Sequence, residues 1–255
     1  MKRSYSSLTP SSKRLKTKTN SLQNLPSLTT ETLTFFLDAS KNAFINYLHL
    51  PPILFKHQLY AYKSNNRTLI DQELQYMFNH NQIRLFHSDF GVMIMFTNEY
   101  QLLIERQLTE HALSSSSIEK SRLKQRFIQD LLPKCIRLSV DKTLLENEFQ
   151  FTSTDIQLLV QVGLLLPKQI DDYWFSIPNP SSLITCLEKS RRILVQMLSR
   201  RTYKEIPLEE FRLRDLKKKC LLGFDYHIYD LIGVNLAHII DTPTGPIVRT
   251  GPEKV

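Results

Sequence analysis

Apolar residues recur at helical spacing through three stretches early in the chain and then change to short continuous runs. Turns at Pro51-Pro52 and Asn65-Asn66-Arg67 separate the stretches. The pattern predicts three helices, a β-hairpin and a further helix. Thr68 is the predicted N-cap of the third helix. The predicted bounds are Glu31–Leu48, Ile53–Tyr62, Leu69–His80, Ile83–Phe86, Val92–Phe96 and Asn98–Leu108.

The order of three helices and a hairpin recurs twice, with hairpins beginning near residues 83, 164 and 238, a period of roughly 75–80 residues. Ser153 or Thr154 is the predicted cap of the helix that Gly163 ends. The second copy is predicted over Ile118–Leu132, Lys142–Phe149, Asp155–Val162, Leu164–Leu166 and Tyr173–Ile177. The third is predicted over Ser181–Tyr203, Leu208–Lys219, Tyr226–Leu236, His238–Ile240 and Pro246–Val248.

Three helices followed by a hairpin is the winged-helix arrangement, in which the third helix enters a major groove and the wing touches the flanking backbone. The predicted fold class is therefore mainly α with small β-hairpins (α+β), as three tandem winged-helix domains. We expect a disordered basic tail over 1–28 and winged helices over 29–112, 118–180 and 181–255. Winged helices also serve as protein-binding modules, so the fold leaves the function open.

Charge is unevenly distributed along the 255 residues, whose net charge is +8. Residues 1–26 contribute +6 and residues 189–219 contribute +7, which leaves the rest of the chain at −5. A mildly acidic body with two basic segments favours a polyanionic partner.

The first basic segment is rich in Ser, Thr and Asn and is predicted to be disordered. Within it Lys13, Arg14 and Lys16 form a cluster typical of a nuclear localisation signal. The alternative is a solvated tail that no receptor binds.

The second basic segment begins on the predicted helix Ser181–Tyr203. At ~100° per residue its leucines fall within one arc of roughly 120°, while cations occupy another face and Arg191 points near the apolar arc. Acids are absent from 189 to 204, so salt bridges within that stretch cannot neutralise the cations. A row of cations suits a phosphate backbone, and the alternative is a solvated helix surface. The predicted DNA-binding residues are Lys189, Arg191, Arg192, Arg200, Arg201, Lys204, Lys217, Lys218 and Lys219.

The predicted third helices of the first two copies carry acids and no Lys or Arg, so neither is expected to read a major groove. If one copy binds DNA, it is the third, through its first and second helices. We therefore expect binding to the backbone of double-stranded DNA with weak sequence preference.

No pattern predicts catalysis, a metal site or a cofactor. The three cysteines form no CxxC pair and the seven histidines form no HExxH motif. Asp89-Phe90-Gly91 matches the magnesium-binding motif of kinases, but the glycine-rich loop, strand lysine and HRD loop are missing. It stands where a wing turn is expected. No apolar run is long enough to cross a bilayer, and the N-terminus is not a secretory signal. Trp174 is a candidate for base stacking, with a core position as the alternative.

A set of short segments, in order from about residue 30 to the C-terminus, resembles the serine/threonine-protein kinase 19 family, which is described as winged-helix DNA-repair factors. These segments are Leu50-Pro51-Pro52-Ile53, Gln58-Leu59-Tyr60, Gln82-Ile83-Arg84, Phe96-Thr97-Asn98-Glu99-Tyr100, Leu132-Pro133-Lys134-Cys135, Trp174-Phe175-Ser176-Ile177-Pro178, Tyr203-Lys204-Glu205, Tyr226-His227-Ile228-Tyr229-Asp230-Leu231-Ile232-Gly233 and Thr244-Gly245.

The resemblance implies three tandem winged helices, DNA binding and a nuclear role in transcription-coupled nucleotide excision repair. It implies contact with RNA polymerase II, transcription factor IIH, the Cockayne-syndrome recognition factor and the UV-stimulated scaffold protein. Lys189, Arg191, Arg200 and Lys204 align with basic positions of the family's third domain, while Ser199 and Thr202 fall where further cations are expected.

Three hypotheses follow. The first is a non-catalytic DNA-binding adaptor that bridges the polymerase, downstream DNA and transcription factor IIH. The second is a protein-interaction scaffold without direct DNA binding, whose basic face meets an acidic protein surface. The third is a protein kinase.

Overall fold

A computed structural model describes residues 28–62, 66–110, 117–214, 216 and 218–251. The predicted tail and the cluster of Lys13, Arg14 and Lys16 lie outside these residues, as does Lys217. The described residues form helices and small antiparallel sheets, which confirms the α+β fold class.

Each of the three predicted copies builds the same unit, in which a helix and a short strand precede two helices and a hairpin. We call the units the first, second and third repeat, over residues 28–110, 117–177 and 181–251. The first repeat contains α1 (Leu28–Ala43), a π-helical turn (Phe44–Leu48), β1 (Leu54–Phe55), α2 (Lys56–Tyr62), α3 (Arg67–Asn79), β2 (Ile83–Phe86), β3 (Met93–Phe96) and α4 (Thr97–Glu110).

The second repeat has a broken first helix because a π-helical turn and Pro133 interrupt it. It contains α5 (Ser117–Gln125), a π-helical turn (Arg126–Leu131), α6 (Leu132–Lys134), β4 (Ser139–Asp141), α7 (Lys142–Asn147), α8 (Ser153–Val162), β5 (Leu165–Gln169) and β6 (Asp172–Phe175). The third repeat contains α9 (Ser181–Ser199), β7 (Glu205–Pro207), α10 (Leu208–Leu213), α11 (Phe224–Gly233), β8 (Ala237–Thr242) and β9 (Gly245–Thr250).

The sequence pattern missed one strand in each repeat. β1, β4 and β7 each pair with the second hairpin strand, so the sheets have the orders β1-β3-β2, β4-β6-β5 and β7-β9-β8. These strands are two or three residues long, too short to show an alternating pattern. The three repeats therefore resemble one another more closely in topology than the sequence indicates. The domain boundaries stay a prediction.

Several predicted helix ends were wrong. Helix α3 begins at Arg67, so Asn66 rather than Thr68 occupies its N-cap position. Thr152, rather than Ser153 or Thr154, caps α8 through a capping box with Asp155. The helix predicted to run to Tyr203 ends at Ser199, and the helix predicted over 208–219 ends at Leu213 because Arg214 is extended.

Two apolar cores hold the chain together. The larger core joins the first and second repeats and includes the N-terminal half of α9, and the smaller core lies within the third repeat. The buried Arg84 side chain donates from Nη1 to the carbonyl of Cys135 at 2.8 Å and from Nη2 to that of Leu132, and Tyr100 donates to the carbonyl of Ser176 at 3.0 Å. The first two repeats are thus joined by buried polar contacts as well as apolar ones.

Candidate nucleic-acid interface

Helix α9 belongs to both cores at once. Leu183 and Leu187 near its N-terminus pack into the larger core, while Leu194 and Leu198 pack into the smaller one. These residues repeat at helical spacing and bury one face of the 19-residue helix. The opposite face is left to solvent along its length.

The solvent face of α9 carries the predicted cations. Lys189, Arg192 and Arg200 are exposed, and Lys204 is exposed in the turn that follows the helix. Within the described part of the chain none of these four side chains has a carboxylate at ion-pair distance. Together with Lys218 and Lys219, which are also exposed and have no such partner there, we call these residues the outer basic face.

Lys218 and Lys219 come from another segment, which a hydrogen bond ties to α9. Ser190, next to Lys189 in the helix, donates its hydroxyl to the carbonyl of Lys219 at 2.8 Å. The N–H groups of Lys219 and Cys220 both bond to the carbonyl of Leu216, which forms a tight turn. The two basic segments are therefore adjacent, with their contact at Ser190 on the buried side of α9.

Arg201 is exposed but forms an ion pair with one acid of α10. Its guanidinium lies 2.5 Å from Glu210, which also accepts a hydrogen bond from Arg214 at 2.6 Å. The hydrogen bond from Arg214, together with the charges of both arginines, lowers the pKa of Glu210. Arg201 therefore attracts a polyanion less strongly than an unpaired cation does.

Arg191, predicted to bind DNA, is placed differently. Its side chain is only 15% exposed, and its guanidinium donates from Nε and Nη2 to the two oxygens of Asp230, each at 2.7 Å. Burial lowers the pKa of Arg191, but the hydrogen bond from its guanidinium to Asp230 outweighs this and raises it. This pairing removes Arg191 from the outer basic face.

Asp230 is fully buried and also binds the first repeat. His57 Nε2 donates to Asp230 Oδ1 at 2.8 Å, so two side chains from α2 and α9 meet one carboxylate of α11. Burial opposes ionisation of Asp230, yet the hydrogen bonds from Arg191 and His57 lower its pKa. Sequence reasoning missed this site, although the place of Arg191 near the apolar arc of the helix was a signal of it.

Helix α11, the third helix of the third repeat, is held against α2. Tyr226 donates its hydroxyl to the carbonyl of Ile53 at 2.7 Å, and Gln58 donates to the carbonyl of Tyr226 at 2.9 Å. A Cβ at Gly233 would lie 2.5 Å from the carbonyl oxygen of His57, so only glycine fits there. In this arrangement the first repeat covers the inward face of α11. That face is therefore not available to contact a major groove.

Asp89-Phe90-Gly91 forms the turn between β2 and β3, as the sequence predicts. The N–H of Gly91 bonds to the carbonyl of Ser88 at 3.0 Å, and Gly91 has a φ of +117° that glycine adopts readily. Asp89 is exposed, and Phe90 lies beneath the Arg191 guanidinium, whose carbon is 5.8 Å from the centre of the ring.

Trp174, the candidate for base stacking, is half-buried and contacts His87 and Lys168.

No helix in the described residues has the length and apolarity to span a membrane, and no three His, Cys, Asp or Glu side chains in them converge as metal ligands.

The model of the family described as "Inactive serine-threonine protein kinase 19" matches residues 36–250. The chain belongs to this family. The human protein named "Winged helix repair factor 1" is 27% identical over 203 residues, which cover 78% of this chain and 77% of the relative. Its namesake from Xenopus laevis is 27% identical over 201 residues, covering 78% and 75%. The Schizosaccharomyces pombe protein named "Serine/threonine-protein kinase mug51" is 26% identical over 134 residues, covering 49% and 44%.

Proposed function

We propose that this family member is a non-catalytic, DNA-binding winged-helix adaptor whose third repeat binds the backbone of duplex DNA. The observation that carries the proposal is the outer basic face, where six exposed cations from α9 and the neighbouring turns lack acidic partners among the described residues. A folded protein gains little from leaving such cations together, because like charges repel. Phosphates relieve that repulsion and release condensed counterions.

The shared topology supports three tandem winged-helix domains. Each repeat has the same strand order, with a short strand beside the hairpin, and the relatives carry the winged-helix name. The repeats differ in charge, and among the described residues exposed cations without an acidic partner are most numerous in the third repeat.

In this proposal the protein contacts the phosphate backbone of DNA and few base edges. A winged helix that reads sequence places its third helix in the major groove. Here α11 packs against α2, so the elements that contact DNA in this proposal are α9 and the segment of Lys218 and Lys219. Phosphate contacts fix position and carry little sequence information, which predicts similar affinity for unrelated sequences.

The absence of catalysis in this proposal rests on the Asp89–Gly91 turn and on the family description. The turn closes a hairpin, and Asp89 faces solvent on it. The family's description contains the word "inactive". Phosphotransfer from labelled ATP and Mg²⁺ that is lost in Asp89→Ala would contradict this part of the proposal.

The adaptor role extends to nuclear DNA repair. The relatives are named repair factors, and the family resemblance supports transcription-coupled nucleotide excision repair beside RNA polymerase II and transcription factor IIH. In this proposal the acidic remainder of the chain faces those proteins, together with the Cockayne-syndrome recognition factor and the UV-stimulated scaffold protein.

Charge reversal tests DNA binding directly. Lys189→Glu/Arg192→Glu is compared with Lys134→Glu/Arg137→Glu, which makes the same change in net charge at exposed positions of the second repeat. Titration of fluorescent duplexes at ~100 mM salt is expected to show at least about tenfold weaker binding for the first variant and little change for the second.

The loss should be equal for several unrelated duplex sequences, because phosphates are common to all of them. Equal weakening by both variants would show that only net charge matters. Absence of duplex binding by the unsubstituted protein would favour the protein-interaction scaffold instead.

A further inference from the structure

Tyr203 is the most exposed aromatic side chain among the described residues, at 77%. It lies between the end of α9 and the start of β7, next to Lys204 of the outer basic face. An exposed tyrosine ring offers an apolar face that a partner can cover and a hydroxyl that can stay in water.

The backbone on both sides of Tyr203 is fixed. The N–H of Lys204 bonds to the carbonyl of Arg201 at 3.0 Å, and the carbonyl of Lys204 accepts from the N–H of Thr250 at 3.1 Å. Lys204 itself has a φ of +56°, which turns the chain sharply into β7. The ring is therefore presented from an ordered turn, and only its two side-chain torsions remain to be fixed on binding.

The other exposed aromatic side chains have different surroundings. Phe35 contacts Phe36 and Tyr62, and Tyr76 contacts His80. Tyr47, 61% exposed, has no Lys or Arg within five positions of it in the sequence. Within the described chain, Tyr203 alone combines a ring without an aromatic or cationic partner and adjacent cations at 200, 201 and 204.

A nucleobase is the partner that fits this combination. The cations attract the phosphate backbone, and a tyrosine ring stacks on a base whose face is free. Bases inside a duplex have both faces covered by their neighbours. A free face is offered where a duplex adjoins a single strand.

We propose that Tyr203 stacks on an unpaired base beside the bound duplex, so that the preferred substrate is DNA with a junction between double and single strands. This inference rests on the proposed function, since the outer basic face holds the duplex part. The phosphate contacts provide affinity for any duplex, and Tyr203 adds a preference for its opened end.

The test compares a long blunt duplex with the same duplex carrying a single-stranded extension, by fluorescence anisotropy. The unsubstituted protein is expected to bind the extended DNA about 5- to 100-fold more tightly. Tyr203→Ala should lose this preference while keeping its affinity for the blunt duplex, and Tyr203→Phe should retain it because the ring remains. Tyr47→Ala is the matched control, expected to behave as the unsubstituted protein does.

A direct signal comes from 2-aminopurine placed as the first unpaired base. Stacking on Tyr203 is expected to change its fluorescence on binding, and Tyr203→Ala should abolish the change. Equal affinity of the unsubstituted protein for both DNAs, or an unchanged preference in Tyr203→Ala, would overturn the stacking proposal and leave duplex binding intact. Failure to bind either DNA would instead overturn the proposed function on which it rests.

Discussion

Arg191 and Arg192 are neighbours in the sequence and lie in different environments. Arg191 faces inward, where both oxygens of Asp230 bind its guanidinium in a site shared with His57 of the first repeat. Arg192 faces outward on the outer basic face and has no acidic partner among the described residues. One step of about 100° along a helix therefore separates a structural arginine from a candidate phosphate ligand.

The contrast shows that a count of cations overstates a binding surface. Of the cations predicted to bind DNA, Arg191 is half-buried in an ion pair with Asp230, and Arg201 is paired with Glu210. The unpaired ones on α9 lie on its solvent face. The same helix thus joins the repeats on one face and offers charge on the other.

The largest expected effect separates the two arginines by stability. Arg191→Ala leaves the buried Asp230 carboxylate without its main partner and should cost about 3–5 kcal/mol of unfolding free energy. Arg192→Ala removes an exposed, unpaired group and should stay within about 0.5 kcal/mol. Urea unfolding of the two variants measures both values.

A double variant identifies the cause of the loss at Arg191. Arg191→Met/Asp230→Leu removes both charges and keeps apolar volume, so it should recover most of the stability that Arg191→Ala loses. If the double variant is as unstable as Arg191→Ala, then packing of the arginine, rather than its ion pair, accounts for the lost stability.

The next largest effect is a loss of stability at acidic pH, which a buried histidine of α11 causes. His227 of α11 is buried, which lowers its pKa to about 4, and its Nε2 accepts the N–H of Leu222 at 3.2 Å. Since the unfolded chain binds a proton near pH 6.5 and the folded one does not, this group makes stability fall as pH drops from 6.5 to 4. The expected contribution is about 3 kcal/mol, complete near pH 4 and absent at pH 7.

Unfolding free energies of the unsubstituted protein and of His227→Gln, measured from pH 7 to pH 4, test this. The variant should show a shallower decline. A constant difference between the two proteins across this range would show that His227 takes up its proton equally in both states.

The sequence predicted much of the fold from particular signals. Gly163 ends α8 as expected, with a φ of +82°, and the strand at Ile83–Phe86 has its predicted bounds. β1, β4 and β7 were missed because a strand of two or three residues is defined by its pairing across the chain. The pairing of Arg191 was missed for the same reason, since Asp230 lies 39 residues away in sequence.

The candidate site was predicted in outline. The helical spacing placed Lys189, Arg192 and Arg200 on one face, which the structure leaves exposed. The hydrogen bond that brings Lys219 beside Ser190 is a tertiary contact that spacing does not encode. Likewise, the position of Tyr203 depends on where α9 ends, and the pattern of apolar residues placed that end four residues too late.

The smallest and most direct effect concerns how salt weakens DNA binding. The logarithm of the affinity for a duplex should fall linearly with the logarithm of salt concentration, by about 0.9 for each phosphate contacted. Arg192→Ala/Arg200→Ala should therefore make the slope less negative by about 2, with no change in stability above about 1 kcal/mol. A slope equal to that of the unsubstituted protein would contradict the claim that the outer basic face holds the phosphate backbone.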